Sequence, residues 1–355
     1  MSYQRVRICL NFTFLLTFLQ FWLPSRGQGD FSGIDQLLKE NQKSLGNNAV
    51  LVINKDGKMV YQKQVEKQEG DFNARYQAPL LSSGQWMTAA LVMTFVDEGK
   101  LSLEDKVSKF IPIFGTYMKS YITIRNCLTH TTGIQADAAG PMKLLQKSKF
   151  ETLEDEVSAF ASKREIQTNP GTEFFYSELG PDIAGRVLEI ISRKSFDRLM
   201  QERIIRPLKM RGTLFTNLDG GAVDPYGGGQ STAADYVNFL VMLLNKGVFA
   251  GKRVLSEKSV AEMEKPQFTN LLTRYTPRGT EGFQHGLGVW IWDTDSLGAG
   301  RVISGMSSDA DFPFIDRCRN YAGILLLKSA GTEARKDLET RIKALADEQI
   351  PGNCP

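Results

Sequence analysis

Two rhythms of apolar residues run along this chain, and the places where one gives way to the other outline its elements. Ile34, Leu37 and Leu38 recur at helical spacing. A hairpin follows, in which Ala49 to Asn54 and Met59 to Gln64 flank the turn Lys55-Asp56-Gly57-Lys58. From Ser82 to Val96 the chain is nearly continuously apolar, with Trp86-Met87-Thr88-Ala89-Ala90-Leu91-Val92-Met93 at its centre and Gly99 at a C-cap position. A helix apolar on all sides is a buried one.

From about Leu101 to Asn217 the pattern predicts helices joined by polar turns. Ser102 and Thr152 are each placed as an N-cap before an acidic first turn, and Asn169-Pro170-Gly171-Thr172 breaks the run. Beyond Gly227-Gly228-Gly229, a helix over Ala233 to Asn245 precedes short strands around Gly288 to Trp292, Arg301 to Ser304, Phe312 to Ile315 and Tyr321 to Leu327. A closing helix carries Leu338, Ile342 and Leu345 on one face. This order predicts an α+β fold: one antiparallel sheet built from both ends of the chain, flanked by N- and C-terminal helices, with an all-helical lobe inserted. The sheet lobe is expected over about residues 28–80 and 225–355 and the helical lobe over about 81–224, as a single domain without internal repeats or a long Pro/Ser/Gly linker.

Composition narrows the function by exclusion. With 43 Lys plus Arg against 40 Asp plus Glu, and no long block of either sign, charge points to no nucleic acid and no membrane surface. The two histidines, His130 and His285, lack the paired spacing of a helical zinc motif, so no metal or other cofactor is expected. Arg5 and Arg7 precede an apolar run from Ile8 to Leu23, and Ser25-Arg26-Gly27 offers small residues where a signal peptidase reads. Asn11, Thr13, Thr17 and Gln20 interrupt the run, which falls short of the ~20 apolar residues of a span. Residues 1–27 are therefore expected to be a cleaved signal peptide, with a retained anchor as the alternative. The mature chain would then be secreted or periplasmic, without a transmembrane segment. Cleavage removes Cys9 and leaves Cys127, Cys318 and Cys354. Cys127 lies in an apolar-flanked run and reads as a core residue, so Cys318 and Cys354 are the candidate disulfide.

Five stretches occur together and in order: Trp86 to Met93 running into Glu98-Gly99-Lys100-Leu101-Ser102-Leu103; Thr123-Ile124-Arg125 with Leu128-Thr129-His130-Thr131-Thr132-Gly133-Ile134; Asn169-Pro170-Gly171-Thr172 leading to Tyr176-Ser177; Gly227 to Asp235; and Gly286-Leu287-Gly288. In these the chain resembles the β-lactamase-related serine hydrolases, the group of class C β-lactamases, DD-peptidases and esterases. The resemblance implies that group's fold and a nucleophilic serine followed one turn later by a lysine. Here the matching tetrad is Ser82-Ser83-Gly84-Gln85, so a neutral amide stands where the lysine is expected. The second motif, Tyr-x-Asn, is matched by Tyr176-Ser177-Glu178. The third, a Lys-Thr-Gly or His-x-Gly strand, falls on Gly305-Met306-Ser307, with no cationic or imidazole side chain. The backbone N–H groups of Ser82 and Ser308 are the expected oxyanion hole, and Asp309 and Asp311 are expected to make the cleft more negative.

Each of these residues also has a plainer reading. Ser82 suits the N-cap of a buried helix, Tyr176 a core tyrosine and Glu178 a solvated helix start. His130 matches a structural position, and His285 borders the expected cleft without a visible partner. The resemblance implies a serine hydrolase or acyltransferase acting on a small-molecule or peptide ester or amide through a Ser82 acyl intermediate, and not a true β-lactamase. With Gln85 in place of lysine, the proton of Ser82 is expected to go to a Tyr176 and Glu178 pair. The alternative is an inactive pseudoenzyme that keeps the cleft as a binding surface.

Overall fold

The computed structural model describes residues 29–67, 70, 72–137, 149–216, 220–305, 311–328, 335–352 and 354. The expected signal peptide, together with Met306, Ser307, Ser308 and Asp309, lies outside the described residues. Helix α1 (Ser32–Glu40) leads into strands β1 (Ala49–Lys55) and β2 (Lys58–Val65). The helical part carries α2 (Gly84–Asp97), α3 (Leu153–Lys163) and α4 (Leu179–Ser192), and α5 (Ala233–Leu244) returns the chain to the sheet. Strands β3 (Gln284–His285), β4 (Trp290–Thr294), β5 (Gly300–Ser304), β6 (Asp311–Asp316) and β7 (Tyr321–Leu327) precede helix α6 (Arg335–Gln349).

The seven strands form one sheet in the order β2-β1-β7-β6-β5-β4-β3, every pair antiparallel. The register of β1 on β7 sets Ala49 opposite Leu327 and Lys55 opposite Tyr321, so the first strand is zipped to the last. All seven residues of β7 are buried, because the sheet is covered on both faces. Val50, Val52, Ala322, Ile324 and Leu326 join the core beneath α2 and α5. Ala49, Leu51, Ile53, Leu325 and Leu327 meet Ile34 and Leu38 of α1 and Leu338 and Ile342 of α6. Lys343 fixes α6 through Asp316 at 2.6 Å, and a disulfide between Cys318 and Cys354 ties down the segment beyond it. Cys127 is a buried free thiol.

Helix α2 follows a 3-10 turn over Leu81–Ser83, and Gly99 has a φ of 67°. Thr152 caps α3, its hydroxyl accepting the Asp155 N–H at 3.1 Å. Ser102 caps a turn and not a helix: its oxygen accepts the Glu104 N–H, and the next helical turn begins only at Val107. The strand expected from Gly288 starts at Trp290, because Gly288 has a φ of 69° and a Cβ there would come 3.0 Å from the Gln85 carbonyl. That glycine lets the turn close onto α2. Two short strands, Glu173–Phe175 and Leu272–Tyr275, pair in parallel and carry the chain into Tyr176. Among the described residues no helix is long and apolar enough to cross a membrane, and no group of three His, Cys, Asp or Glu could hold a metal.

Candidate active site

Ser82 sits where the backbone is strained. Leu81, immediately before it, has a φ of 44°, and His130 has a φ of 54°. Side-chain-bearing residues held in this left-handed region cost about 1–3 kcal/mol each, and such strain clusters where a fold must aim a functional group. Neither the 3-10 turn nor α2 has a side-chain cap bond, so Ser82 is not used as a helix cap. Its hydroxyl is buried near two phenols, Tyr176 and Tyr226, and eases the ionisation of each.

Gln85, on the first turn of α2, links this group to His130. Its side-chain nitrogen donates to the Tyr176 oxygen, and its Oε1 lies 2.9 Å from His130 Nε2. The Ser177 backbone N–H donates to His130 Nδ1 at 3.3 Å, which places the imidazole proton on Nε2 and makes Gln85 Oε1 the acceptor. The donors therefore run one way, from Ser177 through His130 and Gln85 to Tyr176. A fixed neutral amide aims its N–H at the phenol from the position where the resemblance leads one to expect an ammonium.

Ser82, Gln85, His130, Tyr176, Tyr226 and His285 are all buried. Burial, reinforced by His285 at 5.0 Å, drives the His130 pKa well below the ordinary imidazole value. Burial lowers His285 to about 3, and its Nδ1–H donates to the Gly286 carbonyl at 2.8 Å. Burial pushes Tyr176 up to about 12, against the opposing pull of the nearby Tyr226 and Ser82 hydroxyls and of the Gln85 amide. Tyr226 is driven well above the ordinary phenol value, first by burial and then by Tyr176. At pH 7 the whole network is neutral. Tyr176 also stacks on Trp290 with centroids 5.3 Å apart, which fixes its ring. A pocket of ≈ 480 Å³ reaches His130 and Ser177 from outside, past Gly133, Thr168 and the Glu173–Arg274 ion pair.

The structure thus joins Ser82, Gln85 and Tyr176. Glu178 is half-buried at the start of α4, where it acts on Asp182. Asp311 does not face the cleft as a repelling charge. It is buried at the start of β6 and accepts a hydrogen bond from Ser83, whose hydroxyl also donates to the Leu80 carbonyl at 2.7 Å. Gly305 follows β5 directly and lies against α2, where a Cβ would come 3.0 Å from the Trp86 ring. Ser308 and Asp309 lie outside the described residues. The sequence reading missed Tyr226, which stands beside the Gly227-Gly228-Gly229 cluster it singled out, and it gave His130 no partner.

The family model described as Beta-lactamase matches residues 34–348, and the chain belongs to that family. It is 31% identical over 237 residues to penicillin-binding protein 4 of Amycolatopsis lactamdurans, covering 58% of this chain and 60% of that one. It is 27% identical to Protein flp of Staphylococcus aureus over 51% of this chain and 38% of the relative. The chain thus spans less than two thirds of the length of these curated relatives. Among solved structures, a β-lactamase-like chain of Bacteroides dorei superposes with a TM-score of 0.79 at 26% identity, over 91% of this chain and 99% of its own. EstCE1, a hydrolase with promiscuous acyltransferase activity, superposes at a TM-score of 0.70 and 19% identity over 88% of this chain and 97% of its own, a likeness of fold.

Proposed function

We propose that this protein is an extracytoplasmic serine hydrolase or acyltransferase that forms an acyl intermediate on Ser82 from a small ester, amide or peptide, with Tyr176 as its base. The observation that carries this reading is the buried Gln85 amide N–H bonded to the Tyr176 phenol, one turn of helix after the buried Ser82. The Cys318–Cys354 bridge fits an oxidising compartment. The acyltransferase chemistry printed for EstCE1 shows what this architecture can host, and comes to this chain only as part of the proposal.

With Tyr176 near 12, about one molecule in 10⁵ carries the phenolate at pH 7. Acylation is therefore slow at neutral pH and rises about tenfold per pH unit. The test is intact-protein mass after exposure to a fluorophosphonate between pH 7 and 10. A single adduct that grows with pH and vanishes in Ser82→Ala is expected, and an adduct that survives Ser82→Ala sinks the assignment. Glu178→Gln is the companion variant: loss of labelling there would move the base from Tyr176 to the carboxylate.

One observation favours a second reading, a binding cleft without chemistry: none of the described side chains that meet Ser82 is charged at neutral pH. A folded protein that takes no adduct at any pH in this range would establish that reading.

A further inference from the structure

A buried glutamine amide can sit two ways round in the same space, and only one of them gives Tyr176 a donor. With its nitrogen outward Gln85 hydrogen-bonds the Tyr176 oxygen, whereas with Oε1 there it would repel a phenolate. The two ends of an amide are nearly the same size, so packing alone does not choose between them. The choice falls to whatever meets the other end, and that is His130, whose Nε2 lies 2.9 Å from Gln85 Oε1.

His130 is in turn fixed by the segment that carries Tyr176. The Phe175 N–H donates to the His130 carbonyl at 3.0 Å and the Ser177 N–H donates to His130 Nδ1 at 3.3 Å, while between them the Tyr176 N–H turns the other way, to the Tyr275 carbonyl at 3.2 Å. Alternate amides of this segment therefore meet one residue, first its main chain and then its ring. The imidazole stands where a neighbouring strand would offer its next carbonyl. The ring is walled in by Phe174 and His285, edge to face at 6.0 and 5.0 Å, and lies tilted against Tyr176 at 4.4 Å. Turning it over would set a carbon against the Ser177 amide and lose both hydrogen bonds.

We infer that His130 is a positioning residue for the site at Ser82: because the Ser177 amide occupies Nδ1, the Nε2–H donates to Gln85 Oε1 and locks the amide with its N–H on the Tyr176 oxygen. Reversing the amide would set two N–H groups face to face inside the protein, each without an acceptor. One backbone amide thus decides, through two side chains, which end of a dipole the phenol meets. The consequence for rate rests on the reading of Ser82 as nucleophile, while the orientation of the amide does not.

In the wild-type protein, long-range proton–nitrogen NMR of the histidines is expected to show His130 protonated on Nε2 with Nδ1 bare, and a proton on Nδ1 overturns the inference. The variants are read with 3,5-difluorotyrosine at position 176, whose more acidic phenol titrates at a pH where the protein stays folded, by following the fluorine resonance. His130→Asn keeps an acceptor for Ser177 and suits the φ of 54°, but has no donor that reaches Gln85. It is expected to raise the midpoint by about one pH unit or more, and to have no effect once Gln85→Met has removed the amide. His130→Gly opens a void joined to the pocket of ≈ 480 Å³ that reaches His130 from outside. Above pH 8, free imidazole is expected to enter this void and restore the midpoint, whereas oxazole, the same ring with oxygen in place of the N–H, is not. A midpoint that His130→Asn leaves unmoved, or that both rings restore equally, overturns the inference. In the unfluorinated protein His130→Asn is expected to slow fluorophosphonate labelling about tenfold. A midpoint that moves in a protein that never labels upholds the inference and sinks the reading of Ser82 as nucleophile.

Discussion

Acid should weaken this protein through His285, and the size of the effect follows from burial. The imidazole lies wholly inside, between His130, Phe174, Tyr176 and Trp290, and donates from Nδ1 to the Gly286 carbonyl. In the unfolded chain it ionises near 6.5, and in the folded protein near 3. Above pH 6.5 neither state binds the proton and the group has no effect. As the pH falls below 6.5 the unfolded chain alone is protonated, so stability is lost progressively until the folded value is reached. At pH 5 the loss is 1.5 pH units at 1.36 kcal/mol each, about 2 kcal/mol, whatever the folded value, provided it lies well below 5. Asn at position 285 keeps a donor for the carbonyl and removes the titrating ring, at a pH-independent cost of roughly 1–3 kcal/mol. Urea unfolding of wild type and His285→Asn at pH 8, 7, 6 and 5, followed by tryptophan fluorescence, isolates the group from every other titration. The wild-type advantage should shrink by about 2 kcal/mol between pH 8 and pH 5. An advantage equal at both ends means that folded His285 accepts a proton, and the burial argument is wrong.

Asp182 predicts the opposite slope: burial first, then Asp224, Glu156 and Glu178, raise its carboxyl well above 3.8, so the folded state holds a proton that the unfolded chain releases. Asp182→Asn should therefore match wild type near pH 4 and gain on it as the pH rises toward 8, in the same urea series. Cys354→Ser opens a loop of 36 residues and should lower stability by roughly 3–4 kcal/mol, with the first loss of amide protection in α6 under hydrogen exchange. A fluorescent penicillin should label the protein negligibly within minutes, because Gly305 offers the antibiotic's carboxylate no cation; rapid labelling on a gel would show that a described or undescribed donor takes that role.

The hairpin, the buried helix and the closing strands are legible in the sequence because each depends on short-range periodicity that burial enforces. Asp311 was legible in principle: counting by twos along β6 sets it on the face of Ile315, toward α2, and hence toward Ser83. Where Glu178 points was not legible, because two residues after Tyr176 the chain has left the strand and entered α4, so side chains two apart no longer share a direction. Tyr226 was not legible, since only the turn that Asp224 draws around its own following amides sets the ring beside Tyr176. His130 was visible as a residue, but its partner depends on which nitrogen meets the Ser177 amide, a long-range fact.

The pairing of the first strand with the last has a consequence for how the chain is made. Ala49 must wait for Leu327 to emerge before the sheet can close. At 5–20 residues per second that delay is roughly 14–56 s. During that time β1 offers an unpaired, apolar edge, while α2, α4 and the rest of the helical part, whose contacts lie nearer in sequence, can already associate. A ribosome stalled before Tyr321 would then hold a protease-resistant helical body with a sensitive N-terminal hairpin, and release of the last strand would protect both at once. Chains shortened before β7 keep that edge permanently and should be recovered as aggregate, even though every residue that meets Ser82 is present.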